Sequence, residues 1–220
     1  MKRQPIQAVL FDWDGTLLDS YHADTQAYLE MFRTLGIPWG TKDLRRHYSP
    51  DWHRIYRAAR IPRRRWEEAD RLWARFYQRH RPVLLPGARR VVKWAARRFA
   101  IALVTSGNRR RVERQLRHFR LTRPFRVRVC AEDALRRKPH PAPLRLALER
   151  LRLPARNCVY VGDAPEDIQM ARRTGMRAVA VLGPFPTHHG LRSARPDALL
   201  KSIRDLPRLL RAYSESHLGL

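Results

Sequence analysis

The sequence holds little cysteine, few lysines, few acids and no long apolar run, and each shortage excludes something. Cys130 and Cys158 have neither the spacing of a metal-ligand set nor the count of a disulfide framework, which implies a reducing, cytoplasmic setting. No apolar stretch approaches the roughly 18 residues needed to span a bilayer, so no membrane role is expected. Lys2 and Arg3 are followed by an apolar stretch that Asp12 and Asp14 soon interrupt, a pattern unlike an ordinary signal peptide. Internal repeats and low-complexity tracts are absent. What remains is a chain of 220 residues, 44% hydrophobic, with enough apolar side chains to bury a core.

Acids are outnumbered: 46 Lys+Arg against 20 Asp+Glu give a formal net charge of +26. Such a surface attracts polyanions. The lysines are only Lys2, Lys42, Lys93, Lys138 and Lys201, so the excess is arginine. It is scattered over every helical pattern, with runs no longer than Arg63–Arg65 and Arg109–Arg111. Solvated helix faces account for that distribution better than a nucleic-acid-binding arm, which would concentrate charge. Non-specific nucleic-acid binding at low salt is the consequence expected.

Short apolar runs at Ile6–Phe11, Phe99–Val104, Cys158–Val161 and Ala178–Leu182 read as buried strands, with a weaker one at Phe125–Cys130. Helical patterns at Asn108–Phe119, Pro141–Leu151 and Pro165–Thr174 alternate with them, the last opened by Pro165 and closed by Gly175. This alternation predicts an α/β fold, a Rossmann-like parallel sheet with helices on both faces. From about Ser20 to Arg81 only helical periodicity is found, punctuated by Gly36, Pro38, Pro50 and Pro62, and Pro82, Pro86 and Gly87 lead back to the sheet pattern. The expected organisation is a core of 1–19 and 83–220 with an all-helical cap, 20–82, inserted into it. The cap aromatics have the spacing of a buried helical stripe and are expected to form its core.

The strongest local signal is Asp12-Trp13-Asp14-Gly15-Thr16-Leu17-Leu18-Asp19-Ser20, directly after a strand. Two carboxylates two residues apart at a strand end can enter one crevice, and ligands of open parallel sheets bind beyond the carboxyl ends of strands. This nonapeptide resembles the first motif of the haloacid dehalogenase superfamily. Thr105 at the end of the second strand, Lys138 in a Lys-Pro-His-Pro stretch, and Gly162-Asp163-Ala164-Pro165-Glu166-Asp167 follow in the order used by that superfamily. The resemblance therefore covers the whole chain.

It implies a magnesium-dependent phosphatase. Asp12 would be the covalent nucleophile and Asp14 the general acid and base. Members that remove halide lack the second aspartate, so phosphate rather than halide chemistry is implied. Mg2+ would be held by the Asp12 side chain, the Asp14 backbone carbonyl and the Asp163 side chain. Asp167 would help through a water or by orienting Lys138. Thr105, with the backbone amides of Ser106 and Gly107, would bind the phosphoryl oxygens, and Lys138 would balance their charge.

The cap resembles that of phosphoglycolate phosphatase-like and beta-phosphoglucomutase-like members. Mutases usually carry an acidic residue where this chain has Gly162 and a histidine where it has Asp24, so hydrolysis is expected. Phosphonate-cleaving relatives need a cap lysine, and Lys42 is the one cap lysine. Trp52, His53, Arg54, Tyr56 and Arg57 are the expected readers of the leaving group, competing with a reading of Trp52 as cap core and of Arg54 and Arg57 as a solvated face. The substrate is left as a small phosphorylated metabolite: phosphoglycolate, a sugar phosphate, a nucleotide and pyrophosphate offer the same phosphoryl group. A nucleic-acid-associated protein with a vestigial or end-processing site is the alternative from another class. Oligomeric state is not legible.

Overall fold

The structure is a computed structural model and describes residues 5–215. The chain divides into two compact units, one built from residues up to Leu18 and from Leu84 onward, the other from Asp19–Val83.

The first unit is a six-stranded sheet with strands β1 (Ala8–Phe11), β4 (Ala100–Val104), β5 (Val127–Val129), β6 (Cys158–Gly162), β7 (Arg177–Val181) and β8 (Ala198–Leu200). Their order is β5-β4-β1-β6-β7-β8, and every pairing is parallel. Both faces are buried, as parallel sheets require, because residues alternate between two apolar clusters. Val9, Phe11, Ile101, Leu103, Val159 and Val161 point to one, which is covered by α5 (Ala88–Ala96), α6 (Arg109–His118) and α10 (Leu206–Glu215). Ala8, Leu10, Ala102, Val104, Tyr160 and Ala180 point to the other, which is covered by α7 (Ala142–Leu151), α8 (Pro165–Thr174) and α9 (His188–Ser193). The fold class expected from the alternation is the one observed.

Some elements differ from the expectation. The first strand starts at Ala8 rather than Ile6, and β8 has no counterpart in the sequence reading because three half-buried residues carry no periodicity. Helices α5 and α10 are further additions to the expected elements, with Ala88, Val91, Val92 and Ala95 forming a buried stripe at helical spacing on α5. Two short strands, β2 (Leu18–Asp19) and β3 (Val83–Leu84), pair where the chain leaves and re-enters the sheet unit.

The second unit contains α1 (Tyr21–Thr34), α2 (Thr41–His47), α3 (Trp52–Ala58) and α4 (Trp66–Tyr77). Tyr28, Met31, Phe32, Ile55, Tyr56 and Phe76 share one apolar core. Tyr28 stacks on Phe32 and Trp73 on Tyr77, with ring centroids 5.8 and 4.8 Å apart, so the aromatic stripe packs on itself.

Candidate active site

The strand order places β1 between β4 and β6, and because all three run parallel their carboxyl ends open on one edge. The chain turns to opposite sides of β1 at this point, the switch where open α/β sheets bind ligands. Asp12, Thr105 and Asp163 are the residues immediately beyond these three ends.

Asp12 continues the ladder through its N–H, which donates to the Val161 carbonyl at 2.9 Å. The chain then turns at Gly15, whose φ of +79° disfavours any residue with a Cβ. Gly15 answers a second demand as well, since a Cβ there would overlap the Asp163 carboxylate. Thr16 donates its hydroxyl to Asp163 Oδ1 at 2.9 Å, and Thr187 donates to the Asp163 carbonyl at 2.7 Å. The first motif thus shapes its own loop and also seats the aspartate of the last.

Asp12, Asp163 and Asp167 bring one carboxylate oxygen each to within 4.8 Å of one another, and all three are buried. Lys138, itself 4% exposed, places Nζ 2.7 Å from Asp12 Oδ1 and 2.8 Å from Asp167 Oδ1. Asp167 is fully buried, and an ammonium and two backbone N–H groups supply its hydrogen bonds. Its Oδ2 accepts from the N–H groups of Asp163 and Ala164 at 3.2 and 3.1 Å, and the Tyr160 hydroxyl stands 3.2 Å from Oδ1. A Cβ at Gly162 would overlap this carboxylate.

The electrostatics follow from burying three acids around one ammonium. Burial pushes the Asp12 carboxyl up to about 7, with Lys138 pulling it down and Asp167 pushing it further up. Burial, followed by the charges of Asp12 and Asp167, holds Asp163 well above the usual carboxylate range. Lys138 is penalised by burial, but the two aspartates raise it above an ordinary lysine and keep it charged. The ionised cluster carries more negative than positive charge, and a hard divalent cation suits it.

Thr105 is buried, and its Oγ1 accepts from the Gly107 N–H at 3.0 Å, which curls Ser106 and Gly107 around the end of β4 just before α6. Asp14 is not one of the three converging carboxylates, but its charge is felt at Asp12. Both its oxygens are taken by Arg111, Nη1 to Oδ1 at 2.8 Å and Nη2 to Oδ2 at 2.7 Å. Arg54 and Arg57 on α3 are half exposed, and their guanidinium nitrogens lie 4.0 and 3.7 Å from the carboxylate of Asp51, the residue that caps the helix. Tyr56 is 1% exposed, and its hydroxyl donates to Asp70 at 2.8 Å, which places it in the core of the helical unit rather than among readers of a leaving group. His53 packs on the Trp66 ring with centroids 4.4 Å apart.

Thr16, Tyr160, Thr187 and Arg111 escaped the sequence reading. Tyr160 sits in an apolar strand run and Arg111 in a run of arginines, where composition hides them. The cysteines are free and buried, and burial pushes Cys130 up to about 11 and Cys158 up to about 12, which leaves both inert as thiols.

A parallel α/β sheet with acids gathered beyond its central strands defines an enzyme of the open-sheet class. The sequence pattern of the haloacid dehalogenase-like hydrolases matches residues 9–181, and the chain belongs to that family. It is 28% identical over 216 residues to a protein named pyrophosphatase PpaX from Bacillus cereus, covering 96% of this chain and 99% of that one. Its fold matches that of CbbY from Rhodobacter sphaeroides, solved in complex with phosphate, with a TM-score of 0.80 and 26% identity over 91% of this chain and 96% of the other. A protein from Haemophilus somnus described as a predicted phosphoglycolate phosphatase shares the fold at a TM-score of 0.83 and 18% identity, over 93% and 97% of the two chains. Among the described residues, no helix is long and apolar enough to cross a membrane.

Proposed function

We propose that this protein is a cytoplasmic magnesium-dependent phosphatase that hydrolyses a small phosphorylated metabolite through an aspartyl-phosphate intermediate. The observation that carries the reading is the cluster of three buried carboxylates around Lys138, with Asp12 at the end of the central strand. Asp12 and Asp163, with the backbone carbonyl of Asp14, would hold Mg2+, and Asp167 would fix Lys138 from behind. When bound, the cation neutralises charge between the nucleophile and the phosphoryl group.

In the first half-reaction a carboxylate oxygen of Asp12 attacks phosphorus. The bond from phosphorus to the leaving oxygen breaks, and that oxygen takes a proton from the carboxyl group of Asp14. Thr105 Oγ1 and the amides of Ser106 and Gly107 donate to the phosphoryl oxygens, while Lys138 balances their charge. In the second half-reaction water attacks the same phosphorus and gives a proton to the Asp14 carboxylate. The bond from phosphorus to Asp12 breaks, releasing inorganic phosphate.

The absence of side-chain room at Gly162 supports hydrolysis over mutase activity, because an acidic side chain there would displace Asp167. Relatives named pyrophosphatase make inorganic pyrophosphate the first substrate to try. The test is a panel of phosphorylated metabolites and pyrophosphate, assayed with purified protein and Mg2+. Turnover should vanish in chelator and fall on the order of 10⁴-fold or more in Asp12→Asn. Activity that survives both treatments refutes the reading.

A further inference from the structure

Asp14 is asked to hand a proton to the leaving oxygen and take one from the attacking water, so its carboxylate must be held within hydrogen-bond reach of the one position, opposite Asp12 across phosphorus, that both occupy in turn. Within its own loop, Trp13 donates to Gln115 and Thr16 to Asp163. The two oxygens of Asp14 are gripped by the two terminal nitrogens of Arg111 at 2.8 and 2.7 Å. A fork of this kind fixes both position and plane of a carboxylate.

Helix stability does not explain this arginine. Arg111 lies in the first turn of α6, where the helix dipole disfavours cations, and that turn carries no acid. Yet its side chain is only 9% exposed, against 43% for Arg109 two residues earlier, which is held by Asp133. The surroundings are shaped to keep it there. Gly107 lacks a Cβ where one would overlap the guanidinium. Gln115 Oε1 stands 3.4 Å from Nη1 and accepts from the Trp13 indole N–H at 2.9 Å, which ties the arginine to the residue between Asp12 and Asp14.

We infer that Arg111 is a positioning residue that aims the Asp14 carboxylate in both half-reactions, with Gln115 and Trp13 bracing it. The inference rests on the reading of Asp12 as nucleophile and Asp14 as acid and base. Lysine cannot replace the fork, because a point charge fixes neither plane nor direction.

The experiment compares wild type, Arg111→Met, Arg111→Lys, Asp14→Asn and Arg111→Met with Asp14→Asn, using p-nitrophenyl phosphate and phenyl phosphate with Mg2+. Melting curves establish which variants are folded. Arg111→Met should lower kcat roughly 10- to 100-fold, the loss expected from misplacing a catalytic group by about 1 Å, with KM little changed. Phosphoenzyme should accumulate from p-nitrophenyl phosphate, whose leaving group needs no proton, as it does in Asp14→Asn. Adding Arg111→Met to Asp14→Asn should cost less than about 3-fold more, because the group to be aimed is already gone. Arg111→Lys should recover only part of the activity, and it carries the test if the methionine variant does not fold.

The same loss in both backgrounds, or wild-type turnover without Arg111, overturns the inference while leaving the phosphatase reading intact. Failure of that reading looks different: no variant forms a phosphoenzyme and Asp12→Asn keeps its activity.

Discussion

Replacing Asp167 by asparagine changes one oxygen to an NH2 group, and that group must face either a buried ammonium or two backbone N–H donors. Lys138 Nζ and the Tyr160 hydroxyl face one oxygen, while two backbone N–H groups face the other. An asparagine that keeps its oxygen on the two backbone N–H groups turns its NH2 toward Lys138 and Tyr160; the Tyr160 hydroxyl, which donates to the Val104 carbonyl at 2.9 Å, can accept from it, but the buried ammonium loses one of its two carboxylates, at about 1.5–3 kcal/mol. Against this stands the relief of charge repulsion, since Asp167 pushes Asp12 and Asp163 upward. The lost ion pair should win, for a net loss of about 1–2 kcal/mol. For a chain of this length the melting temperature should fall by roughly 2–8 °C.

Asp163→Asn is the control of opposite sign. Its folded-state carboxyl lies above the unfolded value, so in metal-free protein the charge costs stability at every pH above the unfolded pKa, and its removal should leave melting unchanged or higher. Thermal melts at pH 7.5 in chelator measure both. Asp167→Asn melting at or above wild type, or Asp163→Asn falling as far as Asp167→Asn, refutes the account of which carboxylate the fold needs charged.

Mg2+ should displace protons that burial holds on Asp12 and Asp163, so its affinity should climb as pH rises through about 7, and calorimetry in two buffers should show proton release; an affinity flat from about pH 5.5 to 8 contradicts the electrostatics. The +26 charge should give binding to DNA and RNA at low salt without sequence preference, collapsing as salt rises through the physiological range; submicromolar affinity for one sequence at physiological salt would point to a specific role. Arg54→Ala with Arg57→Ala should lower kcat/KM for the best metabolite in the panel by roughly 10- to 100-fold while barely touching p-nitrophenyl phosphate. Equal losses on both, or none, would leave the pair as partners of Asp51.

By itself the sequence determined the α/β class and named a set of polar residues at strand ends. Both properties are local: a strand buried on both faces must be apolar along its length, so Cys158–Val161 and Ala178–Leu182 announce themselves, and the polar residue that stops the run marks the edge where ligands bind. The acids of Asp12 to Asp19 are as legible, being rare in a chain with so few. The tertiary structure alone decided which groups touch. Asp12 and Asp167 are 155 positions apart and meet at Lys138 because the crossovers place β6 beside β1. Arg111 was one arginine in a run of three, and nothing in its neighbours distinguishes it. Its partner lies 97 positions away, and only the approach of α6 to the loop after β1 turns a surface-like charge into a buried grip on Asp14. Tyr160 and the edge strand β8 were hidden for a related reason, since the hydroxyl of a core tyrosine and a three-residue edge owe their roles to neighbours supplied by distant chain.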